Sequence, residues 1–120
     1  MKKTAGEIYG GETRRDPNLL SALTSRIIPP QFMGYVYQLV AGLGWTSIHW
    51  LHRIRQPTLV MAGAEDPLVP PVNARIIALL IPNNRLFIVP GGGHLFMLHS
   101  IDKVVPVVRS FLDSEAPLTA

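Results

Sequence analysis

Cysteine is absent from the 120 residues, so neither a disulfide framework nor a thiolate metal site organises this chain. Charge is scarce as well. Charged residues make up 16% of the sequence against 48% hydrophobic ones, which excludes the charge-rich, apolar-poor composition of a disordered chain. No apolar run is long enough to cross a bilayer, and Met1-Lys2-Lys3 is not followed by the apolar stretch of a secretory signal. The formal charge of +3 is basic, but Lys and Arg are scattered and form no stripe with interleaved aromatics. Neither a nucleic acid nor a membrane is therefore an expected partner. A cytoplasmic location is the expectation that accompanies these absences.

What the chain does have is apolar surplus. A mean hydropathy of +0.25 is high for a small domain, whose large relative surface calls for polar cover. The expectation is one small domain, or a piece of a larger one whose neighbours would bury the excess. Met1 to Pro30 is rich in turn formers (Gly10-Gly11, Asp16-Pro17-Asn18, Pro29-Pro30) and reads as irregular connection with one short helix, Leu19 to Ile27. From Gln31 to Leu43, Phe32, Val36, Leu39, Val40 and Leu43 recur at helical spacing, and a second short helix follows Gly44 with Trp45, Ile48 and Leu51 on one side.

The pattern changes at Pro57. Thr58-Leu59-Val60-Met61-Ala62 is an uninterrupted apolar run bounded by Pro57 and Gly63, the signature of a parallel strand buried on both faces. A helix is expected over Val72 to Ile81, then a second buried strand, Arg85 to Val89, closed by Pro90 and three glycines. Ile101, Val104, Val105, Val108, Phe111 and Leu112 outline a last amphipathic helix; Pro106 favours its start near Asp102. The order β-α-β-α is that of an α/β fold. Two parallel strands make only an incomplete sheet, so partners on at least one edge are expected.

Two residues carry the chemistry. Asp66 follows the first strand and His94 the second, 28 positions apart, the length of one loop-helix-strand crossover. In open α/β sheets reactive groups gather beyond the carboxyl ends of the strands, which puts both on one functional edge. A carboxylate accepting from the Nδ1–H of a histidine fixes its tautomer and frees the other nitrogen as a base. Asp before Pro is by itself an ordinary turn, and a histidine after glycines is by itself an ordinary surface residue. The joint order of buried strand, G-x-x-D-P, helix, buried strand, G-G-H is far more specific.

That order resembles the acid and histidine motifs of α/β-hydrolases, in Gly63-Ala64-Glu65-Asp66-Pro67-Leu68-Val69-Pro70 and Gly92-Gly93-His94-Leu95-Phe96. The longer strings IYGGETRRDPNLL, YQLVAGLGWTSIHWLHRIRQPTLVMAG and GGGHLFML resemble one subgroup, the intracellular poly(3-hydroxyalkanoate) depolymerases, from Ile8 to Leu112. The resemblance implies hydrolysis of ester bonds in stored polyester by a Ser-His-Asp triad, with Asp66 and His94 as its catalytic acid and base. It also implies a lid-like helical segment over residues 1–52, a β-α-β-α core portion over 53–114, and a tail over 115–120. Trp45 and Leu95 are then candidates for substrate contact. No cofactor and no metal are expected.

One feature of that family is missing. Its nucleophile elbow, G-x-S-x-G, occurs nowhere in the sequence; Ser47 in Gly44-Trp45-Thr46-Ser47-Ile48 lacks the second glycine. The expectation is a serine ester hydrolase fragment without its nucleophile and oxyanion loop, whose missing N-terminal half or oligomer partner would complete the site. The alternatives are an inactive truncated or split-gene product, an interaction module, or another α/β-hydrolase such as an epoxide hydrolase or dehalogenase. Lesser candidates remain. His49 and His52 lack the acidic or thiol companions of a metal site, and His99 is expected to be exposed. Trp45, Trp50, Phe32, Tyr35 and Tyr37 read either as the lining of an acyl pocket or as lid-to-core packing, and Glu65 is a substitute acid beside Asp66.

Overall fold

The computed structural model describes residues 9–25 and 32–114. In chain order the elements are α1 (Gly11–Arg15), α2 (Pro17–Ser25), α3 (Phe32–Gly42), α4 (Ile48–Leu51), β1 (Thr58–Gly63), α5 (Pro71–Leu80), β2 (Asn84–Val89), α6 (Phe96–His99) and α7 (Ile101–Asp113). Strands β1 and β2 pair in parallel, in a register running from Thr58 opposite Asn84 to Gly63 opposite Val89. The β-α-β-α unit expected from the apolar runs is therefore present, and among the described residues its sheet has two strands.

Local chemistry explains the boundaries. Helix α5 opens on Pro71, whose missing N–H costs nothing at the first helical position. It stops at Leu80 because Ile81 precedes Pro82 and is held extended. The Asn84 side-chain amide then donates to the carbonyls of Ala78 and Ile81, each at 2.6 Å, and so satisfies the end of the helix from the first residue of β2. The even-numbered residues of β1 meet α5 in the core: Leu51, Val60, Ala62, Ala74 and Ile81 are buried together, with Ile77 and Ile88 packed against them. By strand alternation Leu59 and Phe87 face the other way, and with Val107 and Phe111 of α7 they border a groove of about 330 Å³.

Two expectations need correction. The opening segment is not irregular throughout, because Gly11–Arg15 is helical; and α2 starts at Pro17 rather than Leu19. Asp16 accepts the Asn18 N–H at 3.0 Å as a helix cap, and Pro17 takes the first helical position, so the turn-forming triplet is a helix start. The end expected for that helix at Ile27, and the tail over 115–120, lie outside the described residues. Helix α7 starts at Ile101, within a residue of the expected start near Asp102, and runs through Pro106 in its second turn, whose nitrogen has no hydrogen to donate to the Asp102 carbonyl.

Helix α3 forms where its spacing predicts, yet none of its residues is buried, and Phe32, Tyr37, Leu39 and Leu43 are all exposed. Among the described residues no helix is long and apolar enough to cross a membrane.

Candidate active site

The carboxyl ends of β1 and β2 are stitched together beyond the strands themselves. The Ala64 N–H donates to Val89 O at 3.0 Å and the Glu65 N–H to Gly92 O at 2.8 Å, so the ladder continues into both loops. Gly63 closes that junction. A side chain there would collide with the carbonyl oxygens of Gly92 and Gly93, so the last residue of β1 must be glycine for the two loops to touch.

This stitching delivers Asp66 to His94. Asp66 Oδ2 and His94 Nδ1 lie 2.9 Å apart. The second carboxylate oxygen, Oδ1, accepts the backbone N–H groups of Leu68 and Val69, both at 2.9 Å. The Asp-Pro turn is thus more than a turn: its two amides pin one oxygen so that the other faces the imidazole. A carboxylate without its proton offers only acceptors, so the contact favours, for a neutral imidazole, the tautomer with the proton on Nδ1 and the lone pair on Nε2. The Asp66 side chain is 6% exposed and that of His94 37%, so the carboxylate is sealed behind the imidazole while the imidazole opens to the surface. Glu65, the substitute acid, is turned away and sits 3.6 Å from Arg15.

A third strand of chain completes the junction. Tyr9 accepts the His94 N–H at 2.7 Å, and the Glu12 N–H donates to Gly91 O at 3.0 Å. Gly11, at φ +54°, lies so close to Gly93 that any side chain would collide with its backbone. The Glu12 carboxylate accepts from Lys103 Nζ at 2.9 Å and from Ser100 Oγ at 3.2 Å, and Lys103 Nζ donates again to Pro90 O at 3.1 Å. The hydrogen bond from Lys103 holds the Glu12 carboxyl below its ordinary value, and Glu12 raises the Lys103 ammonium in turn. A cavity of about 470 Å³ opens beside this junction, lined by Gly10, Gly11, Arg14, Arg15, Glu65 and Pro67.

The other sequence candidates are placed differently. Leu95 follows His94 directly and is half-buried at the start of α6. Trp45 lies in the turn before α4, 76% exposed, and is not part of the cavity beside Asp66. Trp50 is exposed too, with the Arg53 guanidinium 5.0 Å over its ring. His99 is half-buried rather than exposed, because α6 packs against both α1 and α7; its Nε2 is buried without a hydrogen-bond partner among the described residues.

The family described as alpha/beta hydrolase fold matches residues 4–100. The chain belongs to that family. Within it, the chain is 50% identical over 113 residues to a poly(3-hydroxyalkanoate) depolymerase of Ectopseudomonas oleovorans, covering 94% of this chain and 40% of the depolymerase. Among solved structures it resembles Rv0554 from Mycobacterium tuberculosis, with a TM-score of 0.71 and 25% identity, covering 88% of this chain and 40% of that one. It also resembles a serine hydrolase involved in carbazole degradation (the CarC enzyme), with a TM-score of 0.57 and 28% identity over 62% of this chain and 29% of that one. The chain thus spans less than half the length of these relatives, and its two strands with flanking helices are part of a hydrolase fold.

Sequence reasoning singled out Asp66 and His94 but passed over Tyr9, Glu12, Ser100 and Lys103. The only local trace of that second group was Gly10-Gly11, read as a turn. Glu12 and Lys103 are 91 positions apart, and no periodicity links them.

Proposed function

We propose that this alpha/beta hydrolase chain carries the acid and the base of a serine carboxylester hydrolase of the poly(3-hydroxyalkanoate) depolymerase type. The observation that carries the reading is the 2.9 Å Asp66–His94 contact, with the far carboxylate oxygen held by two amides. The 50% identity to a protein named as such a depolymerase supports the substrate class.

In this reading Asp66 holds the imidazole in the tautomer whose Nε2 is free. Nε2 takes the proton of a serine hydroxyl as its oxygen attacks the ester carbonyl, then returns that proton to the alcohol that leaves. A water attacks the acyl-serine next, giving its proton to Nε2, and the carboxylic acid is released with the serine restored. The 120 residues contain no G-x-S-x-G, so the reading assigns the serine and the oxyanion donors to hydrolase chain outside them, joined in cis or bound as a second polypeptide. Residues 1–52 would form the lid-like part, with Trp45 and Leu95 as candidate substrate contacts.

The test is to assay p-nitrophenyl esters and polyester granules with this chain alone and with a nucleophile-bearing hydrolase segment supplied. Activity is expected only in the second case. There, Asp66→Asn should lower kcat by about 10⁴-fold, through the wrong tautomer of His94. Full activity in the complemented His94→Ala variant, or hydrolysis by the 120 residues alone, would sink the proposal.

A further inference from the structure

The loop that presents His94 is Pro90-Gly91-Gly92-Gly93, a segment with no side chain to anchor it except a proline ring. Three successive glycines have the most backbone freedom to lose on folding. What keeps the loop in one place must therefore come from elsewhere in the chain. Its local bonds are few: the Gly92 N–H returns to Val89 O at 3.1 Å, and the Phe96 N–H donates to Gly93 O at 3.2 Å. The loop after β1 contributes the Glu65 N–H on Gly92 O.

The remaining holds come from one short segment, Tyr9 to Glu12, and from the side chains that Glu12 gathers. The Glu12 main chain donates to Gly91 O, and its carboxylate gathers Lys103 Nζ and Ser100 Oγ. Lys103, so gathered, reaches Pro90 O. Ser100 is wholly buried at the entry to α7, which makes its hydroxyl a fixed point rather than a mobile surface group. Three residues before Glu12, the Tyr9 carbonyl takes the N–H of His94 itself. Both ends of the glycine loop are thus tied, Pro90 and Gly91 through Glu12 and Lys103, and His94 through Tyr9.

From this arrangement we infer that Glu12 is a positioning residue for His94: with Lys103 and Ser100 it clamps the glycine loop and so holds the imidazole against Asp66. The inference rests on reading Asp66 and His94 as the catalytic pair, but the clamp itself is measurable without catalysis. The hydrogen bonds and the ion pair of Glu12 go to Gly91, Ser100 and Lys103, so it acts on the imidazole through the loop. A shift of the base by a fraction of an ångström to one ångström is enough to cost a hydrolase one to two orders of magnitude in rate.

The experiment follows hydrogen exchange and turnover in Glu12→Ala, Lys103→Met and Lys103→Arg. Exchange of the His94 backbone amide and its Nδ1–H is read by NMR in the full chain, beside amides of the β1–β2 ladder. The Ala and Met variants are expected to speed exchange at both His94 protons by about tenfold, the loss of one charge-assisted hydrogen bond, while the ladder amides stay protected. Arg at 103 keeps the charge and the donors and should restore the slow exchange. In the hydrolase complemented with its nucleophile segment, Glu12→Ala and Lys103→Met should lower kcat about tenfold or more with KM unchanged. Unchanged exchange at His94, or loss of protection in the ladder by the same factor, would overturn the clamp. If His94→Ala leaves esterase activity intact while Glu12→Ala still frees the His94 protons, the catalytic reading fails and the clamp stands. If His94→Ala is inactive and Glu12→Ala moves nothing, the reverse holds.

Discussion

Helix α3 and the β1-α5-β2 unit are both rich in large apolar residues and both expose some of them, Leu79 and Val72 of α5 included, but only the strand-helix-strand unit has a buried core. In the strand-helix-strand unit Val60, Ala62, Ala74, Ile81 and Val89 are each at most 8% exposed, whereas Phe32, Tyr37, Leu39, Val40 and Leu43 on and after α3 are all more than half exposed. The difference lies in the partner, not in the composition. A parallel strand pair with a crossover helix brings its own apolar partner, because α5 must return over the sheet to start β2. An amphipathic helix has no such guarantee and depends on a surface supplied from elsewhere. The alpha/beta hydrolase relatives, more than twice as long as this chain, have residues to spare for such a surface. The comparison teaches where folding free energy resides among the described residues: in the half that holds Asp66 and His94.

The sharpest way to break that comparison is to cut equal amounts of side chain from each half. Ile81→Ala removes buried methyl groups at the junction of α5 and β2 and should destabilise the fold by about 2–5 kcal/mol in urea titration. Leu39→Ala on α3 deletes a similar volume from an exposed position and should stay within about 0.5 kcal/mol. A comparable loss at both positions would mean that α3 is packed in solution and that the two halves do not differ.

A smaller effect is expected where the strand half meets its glycine loops. Gly63→Ala places a methyl group against the carbonyls of Gly92 and Gly93, backbone that cannot rotate away. The loops must part, at a cost of about 1–3 kcal/mol, and the hydrogen bond between Asp66 and His94 should weaken with them. The readouts are a denaturation curve together with the His94 Nδ1–H signal. A stable Gly63→Ala protein with that signal unchanged would show that the close approach is not what aligns the pair.

How much of this was legible beforehand follows the same division. The bounds of both strands were readable to within a residue, since Pro57, Gly63, Pro82 and Pro90 punctuate the apolar runs. Burial on both faces was not borne out: Arg85 and Leu86 of β2 are exposed, and the face carrying Leu59 and Phe87 borders an open groove. Asp66 and His94 were readable because each lies a few residues past a strand end, so topology alone brings them to one edge. The exposure of α3 was not readable, since helical spacing shows a face but not what covers it. Nor was the Glu12 clamp, whose parts are turn residue, helix start and surface lysine when taken singly. The half-burial of His99 was missed for a related reason, since it depends on packing against two other helices, whereas the helical start at Pro17 was locally legible in Asp16-Pro17 and was misread as a turn.

The two ion pairs beside the site carry the comparison down to its smallest scale. Glu12 and Lys103 are 2.9 Å apart and about a third exposed; Arg15 and Glu65 are 3.6 Å apart with exposures of 71% and 48%. For the first pair the sign of the pH dependence follows from the shifts. Glu12 titrates lower when folded, so its contribution is present above the ordinary carboxyl value of 4.5 and fades as pH falls through the lowered one. Lys103 titrates higher when folded, so its contribution is full below the ordinary 10.5 and fades as pH rises through the raised value. Stability and His94 amide protection should therefore be flat across neutral pH and drop at both extremes, and Lys103→Met should remove the alkaline drop. The second pair lacks both closeness and cover. Water screens it from two sides, and two long side chains gain little by being held in one geometry. Arg15→Ala should accordingly change the unfolding free energy measured in urea by no more than about 0.5 kcal/mol and leave His94 exchange as it was. A larger loss would locate part of the hold on the histidine loop in the wall of the neighbouring cavity, and the line drawn here between clamp and surface would have to move.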